Sequence, residues 1–234
     1  AKSSSFVNQN MIIDTIKKEA LIAFKTERYH PDIYYTLDGT PPSQHSLKYT
    51  APFASESGTI KASVLENGHP VGKESIKRYI IRAANYKKVR VDTISKWVEN
   101  VLTNGVKAAP DYRDKEWFKF KERDLNVLLD LGKAISFSHI STSFFQHTDH
   151  FIFLPEHVQF AVSVDGLEFT PIDLVRSAAS NSEKGPFIKD FQSGRINSPA
   201  RFIKVTAKNL GLSPKTHYAP GQKAWLYLDE ISVN

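Results

Sequence analysis

The fold is decided by His157–Gly166 (HVQFAVSVDG), in which apolar and polar residues alternate up to a hairpin-turn signal at Asp165-Gly166. Leu167–Ile172 continues after the turn, and similar alternation returns in Ala200–Lys208 (ARFIKVTAK) and Trp225–Val233 (WLYLDEISV). Short alternating segments between turns are typical of antiparallel sheets that bury one face. The final third of the chain therefore predicts a β-sandwich.

The same pattern extends back to Ala83-Ala84-Asn85, where the alternation lapses. Further strands of this region are predicted at Tyr86–Val91, Leu125–Leu131, Ser138–Phe145 and Pro186–Phe191. About eight strands without helical periodicity indicate an antiparallel jelly roll, which we assign to residues 86–234. Residues 173–198 contain Ser, Asn and Gly, so we expect a loop around one strand there.

Residues 1–85 also predict short strands, separated by the turn signals Asp38-Gly39 and Asn67-Gly68. The strands are expected at Phe6–Ile16, Ala20–Lys25, Asp32–Leu37, Gly58–Leu65 and Ser75–Ile81. Frequent turns among short strands indicate a small immunoglobulin-like β-sandwich. The predicted fold class is therefore all-β, with this sandwich followed by the jelly roll.

Composition limits the functions open to the chain. The 234 residues, 41% of them hydrophobic, suffice for two domains with separate cores. Because no run of about 18 apolar residues occurs, we expect no membrane span, and the absence of cysteine excludes disulfides and thiolate sites. The net charge of +6 is spread among 25 acidic residues, so we expect no nucleic-acid partner. The start at Ala1-Lys2-Ser3 suggests a piece of a longer polypeptide.

Polar loops between the strands carry the kinds of side chain that hold sugars. A sugar packs its C–H face on an aromatic ring, and planar polar groups bind its hydroxyls. The candidate ligand-binding residues are Tyr112 and Arg113 in one loop, His147, Asp149 and His150 in a second, and Lys215, His217 and Tyr218 in a third. Each residue alone is ordinary for an exposed loop, so the prediction depends on whether the loops converge.

Other site chemistries have weaker support. His147 and His150 lack the further ligands of a transition-metal site, and Glu116 with Glu156 is one of many carboxylate pairs that could in principle serve glycoside hydrolysis. No serine-hydrolase elbow, phosphate loop or dinucleotide fingerprint occurs, so we expect no catalysis within this chain. Packing positions, rather than stacking on a ligand, are expected for the three tryptophans, Trp97, Trp117 and Trp225.

Two regions carry resemblances to known families. Ile33–Tyr49 (IYYTLDGTPPSQHSLKY), with Pro52 and the later GTIKA, resembles the small β-sandwich near the C-terminus of bacterial β-N-acetylhexosaminidases. The second domain resembles a coagulation factor V/VIII type C, or discoidin-like, domain, whose superfamily includes galactose-binding-like carbohydrate modules. The stretches that carry this second resemblance are Leu102–Gly105 (LTNG), Asp111–Phe118 (DYRDKEWF), Leu128–Gly132 (LLDLG), Val162–Phe169 (VSVDGLEF), Ala200–Val205 and Leu228–Ile231 (LDEI).

Together the resemblances imply the C-terminal accessory region of a secreted bacterial exo-glycosidase, with a β-N-acetylhexosaminidase first and an α-fucosidase next. The implied partners are the catalytic domain of the parent chain and a glycan or its terminal monosaccharide. The alternative is a structural buttress for the catalytic domain, without ligand binding. The implied localisation is periplasmic, cell-surface or secreted.

The second resemblance also implies a structural cation, often calcium, beneath the loops. Glu230 matches the family's closing acidic position. Asn104 stands where the family usually has aspartate, so it offers an amide or backbone oxygen without the charge. Hard cations prefer several oxygen ligands, anionic where available, and the loss of one carboxylate weakens such a site without abolishing it.

Overall fold

The computed structural model describes residues 6–14, 19–80, 82–91, 94–98, 102–177 and 183–234. A single-turn 3-10 helix, Thr148–His150, and nineteen strands make up the regular structure of these residues. The strands are β1 (Asn8–Asp14), β2 (Glu19–Lys25), β3 (Ile33–Thr36), β4 (Leu47–Lys48), β5 (Phe53–Ala54), β6 (Gly58–Glu66), β7 (His69–Tyr79), β8 (Lys88–Val91), β9 (Ile94–Val98), β10 (Val106–Lys107), β11 (Phe118–Lys121), β12 (Leu125–Ile135), β13 (Ile140–Gln146), β14 (His157–Ser163), β15 (Thr170–Arg176), β16 (Phe187–Gln192), β17 (Ala200–Ala207), β18 (Trp225–Leu228) and β19 (Ser232–Val233).

The chain divides into two compact units, Ala1–Ile81 and Arg82–Asn234. The boundary precedes the predicted junction between residues 85 and 86 by four residues, since 85 − 81 = 4. Strands supply nearly all of the regular structure, so the all-β prediction is confirmed. Within the described ranges, no helix is long and apolar enough to cross a membrane.

The first unit contains a sheet of β1, β2 and β5 and a second sheet in which β7, β6, β3 and β4 neighbour one another in that order. The side chain of Gln9, on β1, connects the two sheets. Its Nε2 donates to the carbonyl oxygens of Ile60 and Ser75 at 3.1 and 3.0 Å. Because a buried amide without partners destabilises the fold, these bonds favour one arrangement of β1 on β6 and β7.

The YTLDGT stretch forms the turn after β3. Oδ1 of Asp38 accepts hydrogen bonds from the backbone N–H and the hydroxyl of Thr40, at 2.9 and 2.6 Å, and Gly39 takes a φ of +80°. The ring of Tyr35 stacks on Phe53 with 4.5 Å between the centroids. The residues that resemble the hexosaminidase domain therefore form a turn and part of an aromatic cluster.

The second unit contains two antiparallel sheets, one with the order β11-β18-β13-β16 and the other with the order β15-β14-β17-β12-β8-β9. Burial alternates along β12, where Leu125, Val127 and Leu129 are buried and the residues between them are partly exposed. Phe144 of β13 and Phe160 of β14 are fully buried in the same core. One core thus joins strands of both sheets, and the predicted sandwich is confirmed.

The second unit has more strands than the sequence predicts, namely β8–β19 rather than about eight. The strands without a predicted counterpart are β9, β10 and β11, which are five, two and four residues long. Alternation over so few residues does not distinguish a strand from a loop. The predicted strand Trp225–Val233 is also interrupted, because the N–H of Ile231 donates to the carbonyl of Leu102.

Two of the three tryptophans can be placed. Trp117 is buried and stacks on Phe145 with 5.1 Å between the centroids, as expected for a packing residue. Trp225 is half-buried, and Lys121 holds its ammonium 5.1 Å from the centre of the Trp225 ring. The side chain of Trp97 lies outside the described part of the structure.

Candidate functional site

Three loops of the second unit meet around the single-turn helix Thr148–His150. Two backbone hydrogen bonds between His147 and Ile152, at 3.0 and 3.2 Å, close the base of this turn. Phe151 follows it in the left-handed conformation, with a φ of +58°, and its N–H donates to the Thr148 carbonyl at 2.8 Å. The turn therefore fixes where the histidines and the aspartate of this loop project.

Tyr112 and Arg113 lie against this turn. The ring of Tyr112 stacks on His150 with 4.0 Å between the centroids, and His147 meets His150 edge to face at 4.4 Å. The guanidinium carbon of Arg113 is 4.9 Å from the centre of the Tyr112 ring, and its Nε donates to the Tyr112 hydroxyl at 3.1 Å. The first two predicted loops are therefore in direct contact.

The third loop contacts the same turn. Nε2 of His217 donates to the Thr148 carbonyl at 3.0 Å, while its Nδ1 accepts from the N–H of Ala219 at 3.2 Å. The hydroxyl of Tyr218 donates to the Asp149 carbonyl at 3.0 Å, and its ring lies 4.4 Å from that of His217. All three predicted loops thus converge, and we call this region the loop end.

One aromatic ring of the loop end is open to a ligand. Tyr218 is 69% exposed, although its hydroxyl and its contact with His217 hold it in place. Among the predicted residues of these loops, Arg113, Asp149, His150 and Lys215 are also exposed. An exposed ring next to such groups provides both an aromatic face for the C–H surface of a sugar and polar groups for its hydroxyls.

The side chains of two predicted residues, Tyr112 and His217, already contact other groups of the protein. Arg113 and His150 both pack on the ring of Tyr112, which leaves that ring little face for a sugar. Both ring nitrogens of His217 are engaged by backbone groups. The side chains of Tyr112 and His217 therefore hold the loops together and position Tyr218 and His150.

His147 has a perturbed pKa. Burial, followed by the neighbouring His150, lowers the pKa of His147 below its usual value of 6.5, while Asp149 and Asp111 act in the opposite direction. Burial and the neighbouring His150 thus favour the neutral form of the His147 imidazole.

A mostly aromatic layer lies under the loop end, on the face of the sheet formed by β11, β18, β13, β16 and β19 that points away from the core shared by the two sheets. Its buried members are Ala108, Trp117, Phe145, Ile152 and Tyr227. Lys119 and Lys121, on β11, hold their ammonium groups 4.9 and 5.1 Å from the ring centres of Tyr227 and Trp225. These two lysines were not predicted from the sequence, although the alternation in Phe118–Lys121 (FKFK) was a visible signal.

The residues expected to hold a cation flank one buried turn. The N–H of Gly105 donates to Oε1 of Glu230 at 2.6 Å, and Nδ2 of Asn104 donates to Oε2 of Glu116 at 2.7 Å. Oδ1 of Asn104 accepts from the N–H of Val106 at 2.8 Å. Glu230 and Glu116 are both buried, so the turn gathers two carboxylates in the protein interior.

The charges around this turn are unbalanced. Burial, and next the carboxylate of Asp229, raise the pKa of Glu230 well above its usual value. Asp229 is itself buried, and burial raises its pKa although the Lys107 ammonium, 3.3 Å away, lowers it. The hydroxyl of Tyr86 is buried and has no hydrogen-bond partner among the described residues. Buried oxygens with this excess of negative charge fit a bound cation.

No cluster of three or more His, Asp or Glu side chains suited to a metal is formed in the part of the chain that the structure describes. A cation at the buried turn would therefore need main-chain oxygens as well as Glu230 and Glu116. The other carboxylate considered for catalysis, Glu156, is exposed, whereas Glu116 is buried against Asn104.

Comparison with known proteins gives a family for part of the first unit. Residues 14–73 match the model of the chitobiase/beta-hexosaminidase C-terminal domain. Among curated proteins, no sequence matches this chain.

Solved structures with similarity to the chain include carbohydrate-binding modules and glycoside hydrolases. One is CpGH89CBM32-6 produced by Clostridium perfringens, 18% identical, covering 66% of this chain and 98% of its own, with a TM-score of 0.39. Another is chitosan-binding module 1 of a chitosanase/glucanase from Paenibacillus sp. IK-5, 13% identical, covering 66% and 98%, with a TM-score of 0.41. A third is a GH29 fucosidase of Ruminococcus gnavus, 12% identical, covering 65% of this chain and 26% of its own, with a TM-score of 0.43. The match of residues 14–73 to the chitobiase/beta-hexosaminidase C-terminal domain agrees with the resemblance predicted for the first domain.

Proposed function

We propose that this chain is a non-catalytic accessory region of a glycoside hydrolase, and that its loop end binds a terminal sugar of a glycan. The observation that carries the proposal is the convergence of three loops around Thr148–His150, which presents the exposed ring of Tyr218 beside polar groups. The match of residues 14–73 supports a hexosaminidase-type parent enzyme. An α-fucosidase is the next candidate. The corresponding localisation is periplasmic, cell-surface or secreted.

In this proposal four exposed side chains of the loop end contact the sugar. The face of Tyr218 packs against the C–H surface of the sugar, because an aromatic ring buries such a surface without leaving polar groups unpaired. Asp149 accepts hydrogen bonds from hydroxyls, while Arg113 and Lys215 donate to ring or hydroxyl oxygens. Because Tyr218 is already fixed by its bond to Asp149, little conformational freedom is lost on binding.

Weak binding at one site is sufficient for this function. A tethered enzyme that is held on its glycan meets further bonds at a raised local concentration. The catalytic domain of the parent chain would then supply the chemistry, and the partners of this region are that domain and the glycan.

The second candidate function is a structural buttress for the catalytic domain, without a ligand. It is favoured by the engagement of Tyr112 and His217, whose contacts within the loops use the surfaces that a sugar would need. Under this function, the loop end would be a packed edge of the sandwich.

A structural cation, with calcium the best candidate, is part of the proposal. The buried turn offers the carboxylates of Glu230 and Glu116 and the amide oxygen of Asn104. A calcium ion there would neutralise charges that burial otherwise makes costly, and it would hold the turn against the last strands. Its role is in stability, so the sugar site does not require it as a ligand.

The proposal is tested by calorimetric titration of the chain with galactose, N-acetylgalactosamine, N-acetylglucosamine and fucose, with and without calcium. Tyr218→Ala should weaken binding of the preferred sugar by about tenfold or more, because it removes the exposed aromatic face. Tyr218→Phe keeps that face and loses only the bond to Asp149, so its affinity should stay within about threefold of the parent value.

Tyr29→Ala is the matched control, since Tyr29 is an 86% exposed tyrosine of the first unit. It should leave sugar affinity unchanged. If no sugar binds to the folded chain, the buttress function replaces the binding function. If Tyr29→Ala weakens binding as much as Tyr218→Ala, the loop end is the wrong location.

A further inference from the structure

The outer face of the six-stranded sheet carries a pocket that shares no residue with the loop end. Its volume is about 130 Å³, and the residues that line it are Arg90, Asn126, Val127, Leu128, Gly166, Phe169 and Lys204. The charged residues in this lining are Arg90 and Lys204, which are both cationic. We propose that this pocket is a second carbohydrate site, which takes an acidic sugar unit that carries a carboxylate.

The strand register places the two cations on either side of Leu128. Leu128 lies opposite Arg90 on β8 and opposite Lys204 on β17. Neighbouring strands are about 4.8 Å apart, so the two cationic residues start about 10 Å apart and project from the same face. A carboxylate above Leu128 is therefore within reach of both side chains and carries the opposite charge.

The turn between β14 and β15 covers one side of the pocket with an apolar wall. Phe169 comes from this turn, and the ammonium of Lys204 is 5.9 Å from the centre of its ring. Gly166 takes a φ of +81°, and a Cβ atom there would lie 3.1 Å from the ring of Phe202. A side chain at Gly166 would therefore disturb both the turn and this wall.

Hydrogen bonds inside the turn hold the wall in place. Oδ1 of Asp165 accepts from the N–H of Leu167 at 2.8 Å, from the N–H of Glu168 at 3.2 Å, and from the Ser163 hydroxyl at 2.9 Å. These bonds lower the pKa of Asp165, with that from Leu167 contributing most. The pocket is thus formed before a ligand arrives, which reduces the cost of binding.

The chemistry of the lining selects the class of ligand. A free anion would need only the cations, but Phe169 and Leu128 add an apolar surface, and the amide of Asn126 adds a donor and an acceptor. A pyranose ring with a carboxylate presents matching C–H, hydroxyl and anionic groups. The pocket is smaller than the roughly 300–1,000 Å³ of drug-sized sites, so it suits one sugar unit rather than a longer segment.

The exposed side chains of Val164 and Leu167 beside this turn raise a second possibility, an acidic protein segment. Neither residue lines the pocket, whereas Asn126 and Phe169 do, and a peptide carboxylate makes no use of a flat aromatic wall. We therefore assign the pocket to the sugar and treat the peptide as an outcome of the test.

The test is calorimetric titration of the full chain at low salt with digalacturonic acid and, for comparison, with galactose, sodium acetate and a hexaglutamate peptide. Digalacturonic acid should bind at least about tenfold more tightly than the other three. Arg90→Gln and Lys204→Gln should each weaken that binding by about tenfold, and Phe169→Ala should also weaken it. Circular dichroism and thermal unfolding check that the variants are folded.

Two further variants distinguish this pocket from a general effect of positive charge and from the loop end. Lys88→Gln, which removes an exposed lysine of the same strand, should have less than a threefold effect. Tyr218→Ala should leave uronate binding unchanged, so failure of this proposal and failure of the loop-end proposal can be told apart. Equal affinity for acetate would show an adventitious ion only, equal affinity for hexaglutamate would show a peptide site, and equal affinity for galactose would remove the acidic preference. Each of these results overturns the proposal.

Discussion

The YTLDGT stretch of the first unit and the loop end of the second unit differ in how well their sequences indicate what their residues do in the structure. The YTLDGT stretch is the most recognisable part of the chain, yet its residues form a turn and an aromatic cluster. The loop end draws its residues from three loops that are distant in the sequence and that converge around one helical turn. A motif that identifies a family can therefore serve the fold rather than binding. A binding surface can instead form where loops that are distant in the sequence meet in the folded protein.

The largest expected effect comes from removing the ring that underlies the loop end. Phe145→Ala should lower the free energy of unfolding by about 3–5 kcal/mol, because Phe145 is fully buried against Trp117. It should also weaken sugar binding, because the ring of Phe145 meets that of His147 with 6.1 Å between the centroids. Urea denaturation and calorimetric titration measure the two effects.

Phe24→Ala is the matched change in the first unit, where Phe24 is 5% exposed and packs on Tyr35. It should lower the free energy of unfolding by a similar amount without changing the sugar affinity of the folded protein. Equal losses of affinity in the two variants would contradict the separation between a structural first unit and a binding loop end.

Calcium should have the next largest effect. At a concentration 100 times its dissociation constant, calcium should raise the free energy of unfolding by about 2.7 kcal/mol. Glu230→Gln should abolish this increase, since it removes the buried carboxylate that is bonded to the turn at Gly105. Thermal unfolding with calcium and with a chelator provides the measurement.

Glu156→Gln controls for a general effect of removing negative charge, because Glu156 is exposed. It should preserve the full calcium effect. Calcium stabilisation that survives in Glu230→Gln would place the cation elsewhere.

The turn of the first unit should respond more modestly. Gly39→Ala should cost about 1–2 kcal/mol, because Gly39 has a φ of +80° that alanine adopts only with strain. Sugar binding should be unaffected. Chemical denaturation measures the cost, and Gly194→Ala, at a position outside the left-handed region, should change the free energy of unfolding by less than about 0.5 kcal/mol. Similar costs in both variants would mean that backbone strain is not the cause.

The smallest effect concerns the titration of His147. Its pKa, measured by NMR of the imidazole, should lie below 6.5 because of burial and the nearby His150. The folded protein therefore favours the neutral ring more than the unfolded chain does. The contribution of His147 to the free energy of unfolding is fully present above the pKa of the unfolded chain, and it is lost as the pH falls through the lower pKa of the folded protein. His150→Gln should raise the pKa of His147 by removing the like charge. An unchanged pKa in His150→Gln would mean that burial alone accounts for the shift.

Much of the fold could be predicted because alternation and turn chemistry are local. Apolar alternation predicts the long strands β6, β12, β14 and β17. The Asp165-Gly166 dipeptide predicts the turn after β14. Short strands were missed because two to five residues carry too little pattern. The predicted start of the strand at Leu167 was wrong, since the N–H groups of Leu167 and Glu168 bond to Asp165 and the strand begins at Thr170.

The candidate site could be predicted only in part. Loop composition identified the eight loop-end residues, but it did not show that Tyr112 and His217 are engaged within the protein or that Tyr218 is open. The pocket between Arg90 and Lys204 depends on cross-strand register between segments more than 100 residues apart, since 204 − 90 = 114. No local pattern contains that pairing.

The central claim is that the loop end binds a sugar, and the most direct test is a heteronuclear NMR titration of the chain with the four neutral sugars. We predict saturable shifts for at least one sugar, concentrated on Tyr218, His150 and Arg113 and absent from the YTLDGT turn. Saturable shifts confined to other residues, or no shifts with any of the four, would contradict the claim.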